Sequence, residues 1–151
     1  MPKEFQSGLD VIVNEDFKDY QDKNIGIVIN HTSRSRNGKH LIELAHSAGV
    51  NISAIFTPEH GFAGVVEAGK EIENGVDPLT SAPIYSLYGK TRKPSQEMLN
   101  GLDLMIFDMQ DIGVRYYTYV STLTMVMEAV AEKGIPLVVL DRINPLGRKI
   151  E

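Results

Sequence analysis

Cysteine is absent from the 151-residue chain, which rules out disulfides, thiol catalysis and thiolate metal sites. The absence does not fix a compartment, because exported proteins can also do without it. Long apolar runs are missing too. No segment approaches the roughly 18 residues that a membrane span needs. The opening stretch MPKEFQSGLD lacks the charged-then-apolar layout of a signal peptide. The sequence reads as that of a soluble chain, cytoplasmic as written or exported if a leader has been removed. Nor is there a run of lysine or arginine. With a net charge of -5 and the acids scattered, nucleic acid is not an expected partner.

Several familiar motifs are lacking or incomplete. No G-x-G-x-x-G follows an apolar run, which argues against a classical dinucleotide site. Gly64, Gly69 and Lys70 share the frame of a phosphate-binding loop, but Glu71 stands where the magnesium-holding Ser or Thr belongs, and a carboxylate there repels phosphate. The four histidines, His31, His40, His46 and His60, form no zinc spacing, so no metal and no cofactor is expected. His40 and His46 fall on a helical stretch, as surface or packing residues. A G-x-S-x-G elbow is also missing, which weakens a serine-hydrolase reading.

What is present is an ordinary globular composition, 42% hydrophobic and 23% charged, expected to form one domain over residues 1–151. A chain of this length buries roughly 68 to 70% of its unfolded surface, enough for a real core. Four apolar runs read as strands: Asn24 to Asn30, Val50 to Phe56, Asp103 to Asp108 and Pro136 to Leu140. Between the first two, Leu41, Ile42, Leu44, Ala45 and Ala48 recur at helical spacing up to Gly49. Between the last two, Val120, Leu123, Met127 and Val130 define one helical face, ending at Gly134. Two βαβ units of this kind predict an α/β fold, a Rossmann-like parallel sheet flanked by helices. A long insertion, about residues 57–102, separates the units and carries a short helical stretch from Ser95 to Leu99 with Ser95 as its cap.

Parallel sheets bind ligands at the carboxyl ends of their strands, so the residues just after each strand are the candidates. They are Asn30, His31 and Thr32; Glu59 and His60; Asp108, Gln110, Asp111 and Arg115; and Asp141, Arg142 and Asn144. Loops and helix starts favour many of these residue types anyway. No turn type, however, calls for Glu59-His60 or for FDMQDIGVRYY. The rim is rich in carboxylates, with Tyr85, Tyr88, Tyr116 and Tyr117 nearby. Paired carboxyls are the usual apparatus of glycoside hydrolysis, and tyrosines suit sugar rings.

Four segments in order, FTPEHGFAG, PIYSLYG with KPS close behind, FDMQDIGVRYYTYVSTL and VVLDRINPLG, resemble the exo-β-N-acetylmuramidase family typified by NamZ, formerly a bacterial domain of unknown function. The resemblance runs from about Gly8 to the last residue. It implies a glycosidase of peptidoglycan recycling that releases N-acetylmuramic acid from the non-reducing ends of wall fragments. It also implies a Rossmann-like N-terminal domain, a smaller C-terminal domain absent from this chain, and an active site in the cleft between them.

On that resemblance Glu59 is the catalytic carboxyl, a general acid whose pKa partial burial raises, with His60 orienting it or binding the sugar. Pro58 stops the strand ladder ahead of it. Asp111 is the second carboxylate or an orienting partner, supported by Asp108 and Gln110; its rival role is capping of the second helix. Arg115 grips the lactyl carboxylate of muramic acid or, equally, pairs with Asp108 or Asp111. Asn30, Tyr117, Asp141, Arg142 and Asn144 are substrate contacts, and Glu151 matches a family glutamate near the substrate. Tyr85 and Tyr88 contact sugar or pack the insertion. Without the second domain the chain is expected to be weakly active or inactive, and to self-associate through the apolar face left open. The alternative is a sugar-binding or interaction module that keeps the fold but not the chemistry.

Overall fold

The computed structural model describes residues 5–58 and 75–147. Its elements in chain order are α1 (Gly8–Asn14), β1 (Asn24–Ile29), α2 (Leu41–Ser47), β2 (Asn51–Thr57), β3 (Gly75–Val76), β4 (Pro83–Ser86), β5 (Leu104–Asp108), α3 (Tyr119–Lys133) and β6 (Leu137–Val139). The strands form one sheet in the order β3-β4-β2-β1-β5-β6. All neighbours run parallel except β3 and β4. The four long apolar runs are thus β1, β2, β5 and β6, and the α/β, Rossmann-like class is the observed one.

Strand side chains alternate between two cores, as the pleat requires. Ile25, Ile27 and Ile29 of β1 and Leu104 and Ile106 of β5 pack with Leu9 and Ile12 of α1 and Leu41, Ile42 and Ala45 of α2. Val28, Met105 and Phe107 point the other way, against Tyr119, Val126, Ala129 and Val130 of α3. Being buried on both faces is why these strands read as unbroken apolar runs.

Four segments depart from the sequence reading. α1 is too short to show a helical period, but Ser7 caps it: the Asp10 amide donates to Ser7 Oγ at 3.2 Å, and the Ser7 amide donates back to Asp10 Oδ2 at 3.3 Å. β3 and β4 lie inside the insertion, where PIYS opens with proline and is too short to stand out. β3 also makes the sheet mixed rather than wholly parallel. The segment from Ser95 to Leu99 is a succession of turns instead of a helix. Five residues cannot carry the cost of helix nucleation. Ser95 still receives the Met98 amide, at 3.3 Å.

α3 buries a different face from the expected one. Tyr119, Thr122, Val126, Ala129 and Val130 face the sheet, while Val120 is 60% and Met127 53% exposed. The helix is apolar over most of its circumference, so periodicity alone does not fix which stripe faces inward. Its end is as read: Gly134 adopts φ +77°, and its amide reaches the Val130 carbonyl at 2.8 Å.

Candidate functional site

β1 is the topological pivot. The chain moves from it to β2 on one side and later returns to β5 on the other, with α2 and α3 on opposite faces. A crevice at such a reversal, outside the carboxyl ends of the strands, is where doubly wound sheets place ligands.

Asn30, the residue after β1, is fully buried. Its side-chain oxygen accepts from the Thr32 amide at 2.8 Å and the Thr32 hydroxyl at 2.6 Å. Its backbone carbonyl accepts from the Ser33 amide at 3.1 Å and lies 2.8 Å from His40 Nε2. Its amide nitrogen, Nδ2, has no partner. Ser33 Oγ accepts from the Asn30 backbone amide at 3.1 Å and donates to the Asp108 carbonyl, stitching the end of β1 to the end of β5.

Asp108 is wholly buried and pairs with Arg142 through two parallel bonds, Nε to Oδ1 at 2.6 Å and Nη2 to Oδ2 at 2.8 Å. Burial pushes the Asp108 carboxyl above its ordinary value, and the guanidinium opposes that rise without cancelling it. Arg142 Nη1 also donates to the Arg34 carbonyl at 3.2 Å. Gln110 forms a second strut, donating to the Asp111 carbonyl at 2.7 Å and the Ile143 carbonyl at 2.8 Å, while its own amide donates to Thr32 Oγ1 at 3.0 Å. The loops after β1, β5 and β6 are therefore one hydrogen-bonded unit.

Asp111 does not cap α3. That helix starts at Tyr119, and its N-cap is Thr118. One Asp111 oxygen accepts from the Gly113 amide at 2.6 Å, closing a local turn, and the other is buried with no partner. The ion-pair role considered for Arg115 is not adopted either: Arg115 is exposed, the ionic partner of Asp108 is Arg142, and Asp111 Oδ2 is unpaired. Tyr117 is half-buried, with its ring edge-on to Tyr119 at 4.7 Å. Asp141 and Asn144 are exposed. The Asp141 carbonyl accepts from the Gly8 amide at 2.7 Å, and Asn144 Oδ1 accepts from the Leu146 amide at 3.0 Å. Glu59, His60 and Glu151 lie outside the described residues.

Two cavities flank the first turns of α3. One, of about 200 Å³, has an apolar floor of Phe107, Met109, Tyr119, Leu123 and Leu140, with Asp111, Arg142 and Asn144 among its lining residues. The other, of about 350 Å³, is lined by Leu87, Tyr88, Arg92, Thr118, Ser121, Thr122 and Met125. Tyr88 thus faces open space, while Tyr85 packs its ring on Phe56 at 5.4 Å. Among the described residues no group of three or more His, Asp or Glu side chains is arranged to hold a metal.

Two site residues escaped the sequence reading. Thr57, at the end of β2, is fully buried and its hydroxyl has no partner; nothing local in FTPEHG marks it. His40 is 5% exposed and is the N-cap of α2. Its backbone amide donates to Glu43 Oε2 at 3.0 Å, and the Ile42 amide faces its Nδ1 at 3.4 Å. A polar residue followed three positions later by glutamate, just before an apolar run, is the signal that could have found it.

The fold and rim define a doubly wound α/β domain whose strand ends carry polar, partly unsatisfied side chains. The family model described as exo-beta-N-acetylmuramidase NamZ, N-terminal, matches residues 25–151, and the chain belongs to that family. It is 41% identical over 143 residues to the peptidoglycan beta-N-acetylmuramidase NamZ of Bacillus subtilis (strain 168), a match covering 94% of this chain and 34% of that protein. Two crystal structures of DUF1343 family proteins from Bacteroides fragilis superpose on it. One has a TM-score of 0.84 at 42% identity, covering 94% of this chain and 35% of that one. The other has a TM-score of 0.75 at 36% identity, covering 93% and 35%. The chain thus spans about a third of the length of the relatives it matches.

Proposed function

We propose that this chain is the N-terminal, substrate-gripping domain of an exo-acting β-N-acetylmuramidase, which releases N-acetylmuramic acid from the non-reducing ends of peptidoglycan fragments. The observation that carries the reading is the 41% identity, across 94% of the chain, to a relative named as a peptidoglycan β-N-acetylmuramidase. The rim supports it chemically. Hydrolysis of a glycoside needs a proton for the leaving oxygen and a second carboxyl for the anomeric side.

In this reading Glu59 donates its proton to the glycosidic oxygen as the bond to the anomeric carbon breaks, and water supplies the hydroxyl that replaces it. Asp111 is the second carboxyl; an unpartnered buried oxygen is what a group awaiting substrate leaves behind. His60 orients Glu59. Arg115 meets the lactyl carboxylate, which a guanidinium matches bidentately. The free amide of Asn30, with Tyr117, Asp141, Asn144 and Glu151, contacts the sugar. Asp108, Gln110 and Arg142 hold the loops that carry these contacts.

The exposed apolar side chains Val120, Met127, Val139, Ile143 and Leu146 suit a covering partner. For this domain alone that partner is a second copy.

The test is nitrophenol release from a β-linked nitrophenyl N-acetylmuramide. We expect activity from this domain joined to the additional length found in its relatives, loss of at least about a hundredfold in Glu59→Gln, and little release from the domain alone. Sugar binding without release in the completed protein, unchanged by Glu59→Gln, would replace the reading with a non-catalytic sugar-binding module.

A further inference from the structure

His40 has two neighbours that demand the same protonation state. The Asn30 carbonyl, 2.8 Å from Nε2, is an acceptor only, so Nε2 must carry the hydrogen. The Ile42 amide, 3.4 Å from Nδ1, is a donor only, so Nδ1 must be bare. The neutral Nε2–H tautomer satisfies both, and the imidazolium satisfies one. Helix capping alone does not explain a histidine here, because a short oxygen side chain caps at least as well. The imidazole adds reach: it spans from the cap of α2 to the end of β1.

What it reaches is the one peptide carbonyl of Asn30. The side chain of that residue is clamped by Thr32 at its oxygen, which leaves the buried Nδ2 group unpaired at the carboxyl end of β1. Thr32 holds the side chain, Ser33 Oγ holds the backbone amide, and the carbonyl is shared by the Ser33 amide at 3.1 Å and the closer His40 Nε2 at 2.8 Å. We propose that His40 is a positioning residue of the site, acting through Asn30 to aim its free amide at the sugar. The sugar-binding part rests on the function proposed above; the aiming of the amide does not.

Besides burial, the described groups acting on the imidazole include the Asn30 carbonyl, Asp108 and Glu43, which favour a positive charge, and Arg34, which disfavours it. Burial outweighs them and lowers the pKa of His40 below the ordinary 6.5. The neutral tautomer therefore holds at neutral pH and is lost in acid.

Two substitutions separate positioning from capping. His40→Asn keeps a capping oxygen for Ile42 but is too short to reach Asn30. His40→Gln keeps a reaching N–H donor and is the poorer cap. For N-acetylmuramic acid binding, His40→Asn should weaken affinity about tenfold, the worth of one hydrogen bond, with a melting temperature near that of the parent. His40→Gln should bind within about twofold while melting lower. Affinity that follows melting temperature across both variants would overturn the proposal.

A second readout is independent of the sugar. The Asn30 side-chain amide resonance should shift as His40 titrates and should stay fixed over the same pH range in His40→Gln. An Asn30 resonance blind to that titration would also refute the proposal. A parent chain that binds no N-acetylmuramic acid, but whose Asn30 resonance follows His40, would instead count against the function and leave the positioning role standing.

Discussion

Replacing Arg142 by leucine leaves a carboxylate in a place water does not reach. Asp108 is 0% exposed and Arg142 11%, with two bonds of 2.6 and 2.8 Å between them. Removing one partner of such a pair costs about 3–5 kcal/mol, mainly because the survivor stays buried and uncompensated. At about 2–4 °C per kcal/mol for a chain of this size, the melting temperature at neutral pH should fall by roughly 6–20 °C.

The pH dependence carries a sign. The folded Asp108 pKa already lies above 3.8 because of burial. The folded chain therefore keeps this proton to higher pH than the unfolded chain does. The stability contributed is full below 3.8 and declines as pH rises through the raised folded value. Removing the guanidinium raises that value further, so the deficit of Arg142→Leu should shrink in acid and grow toward pH 8. Filling both positions, as in Asp108→Leu with Arg142→Met, should recover most of the loss, since a well-packed apolar pair often equals or exceeds a buried ion pair. The assay is thermal unfolding of the parent and the two variants at pH 5 and pH 8. A single variant melting within about 2 °C of the parent at pH 8, or a deficit equal at both pH values, would refute this account.

Gly8 touches the start of the loop after β6: a Cβ built on it falls 2.7 Å from the Leu140 Cα and the Asp141 amide nitrogen, both backbone atoms that cannot swing aside. Gly8→Ala should cost about 1–3 kcal/mol in urea unfolding, and an unchanged midpoint would show that α1 does not pack there. Thr57→Val removes a buried hydroxyl that has no partner, so stability should hold or rise by up to about 2 kcal/mol. A clear loss would mean that the hydroxyl is bonded after all.

Most of the framework was legible because its signals are local. β1, β2, β5 and β6 stand out as β-branched or apolar runs, and the helix between each pair shows its period and its closing glycine. β3 and β4 were not, since two and four residues give no periodicity; β4 is a strand because β2 offers it an edge, and β3 because β4 does. α3 falls between: its existence is written in its sequence, but its inward face depends on what the sheet presents to it.

The candidate site divides in the same way. A parallel sheet places the residues after each strand on one rim, so Asn30, Asp108, Asp111 and Arg142 could be chosen from order alone. Their partners could not. Arg115 was the arginine nearest in sequence to the two aspartates, yet the one that meets Asp108 comes 34 residues later, from the loop after β6. Likewise His40 looked like an ordinary helical histidine until the end of β1 came to lie against it.

The sequence by itself determined the class of fold, the order of the strands that carry the rim and, through four spaced motifs, the family. Those depend on hydrophobic pattern and residue identity along the chain. The tertiary structure decided which polar groups are consumed by one another and which are left unpaired: Asp108 taken by Arg142, and Asn30, Thr57 and Asp111 each with a buried atom unsatisfied. That distinction requires distances between residues far apart in the chain, and hydrogen bonds and ion pairs form only where folding brings their partners within about 3 Å.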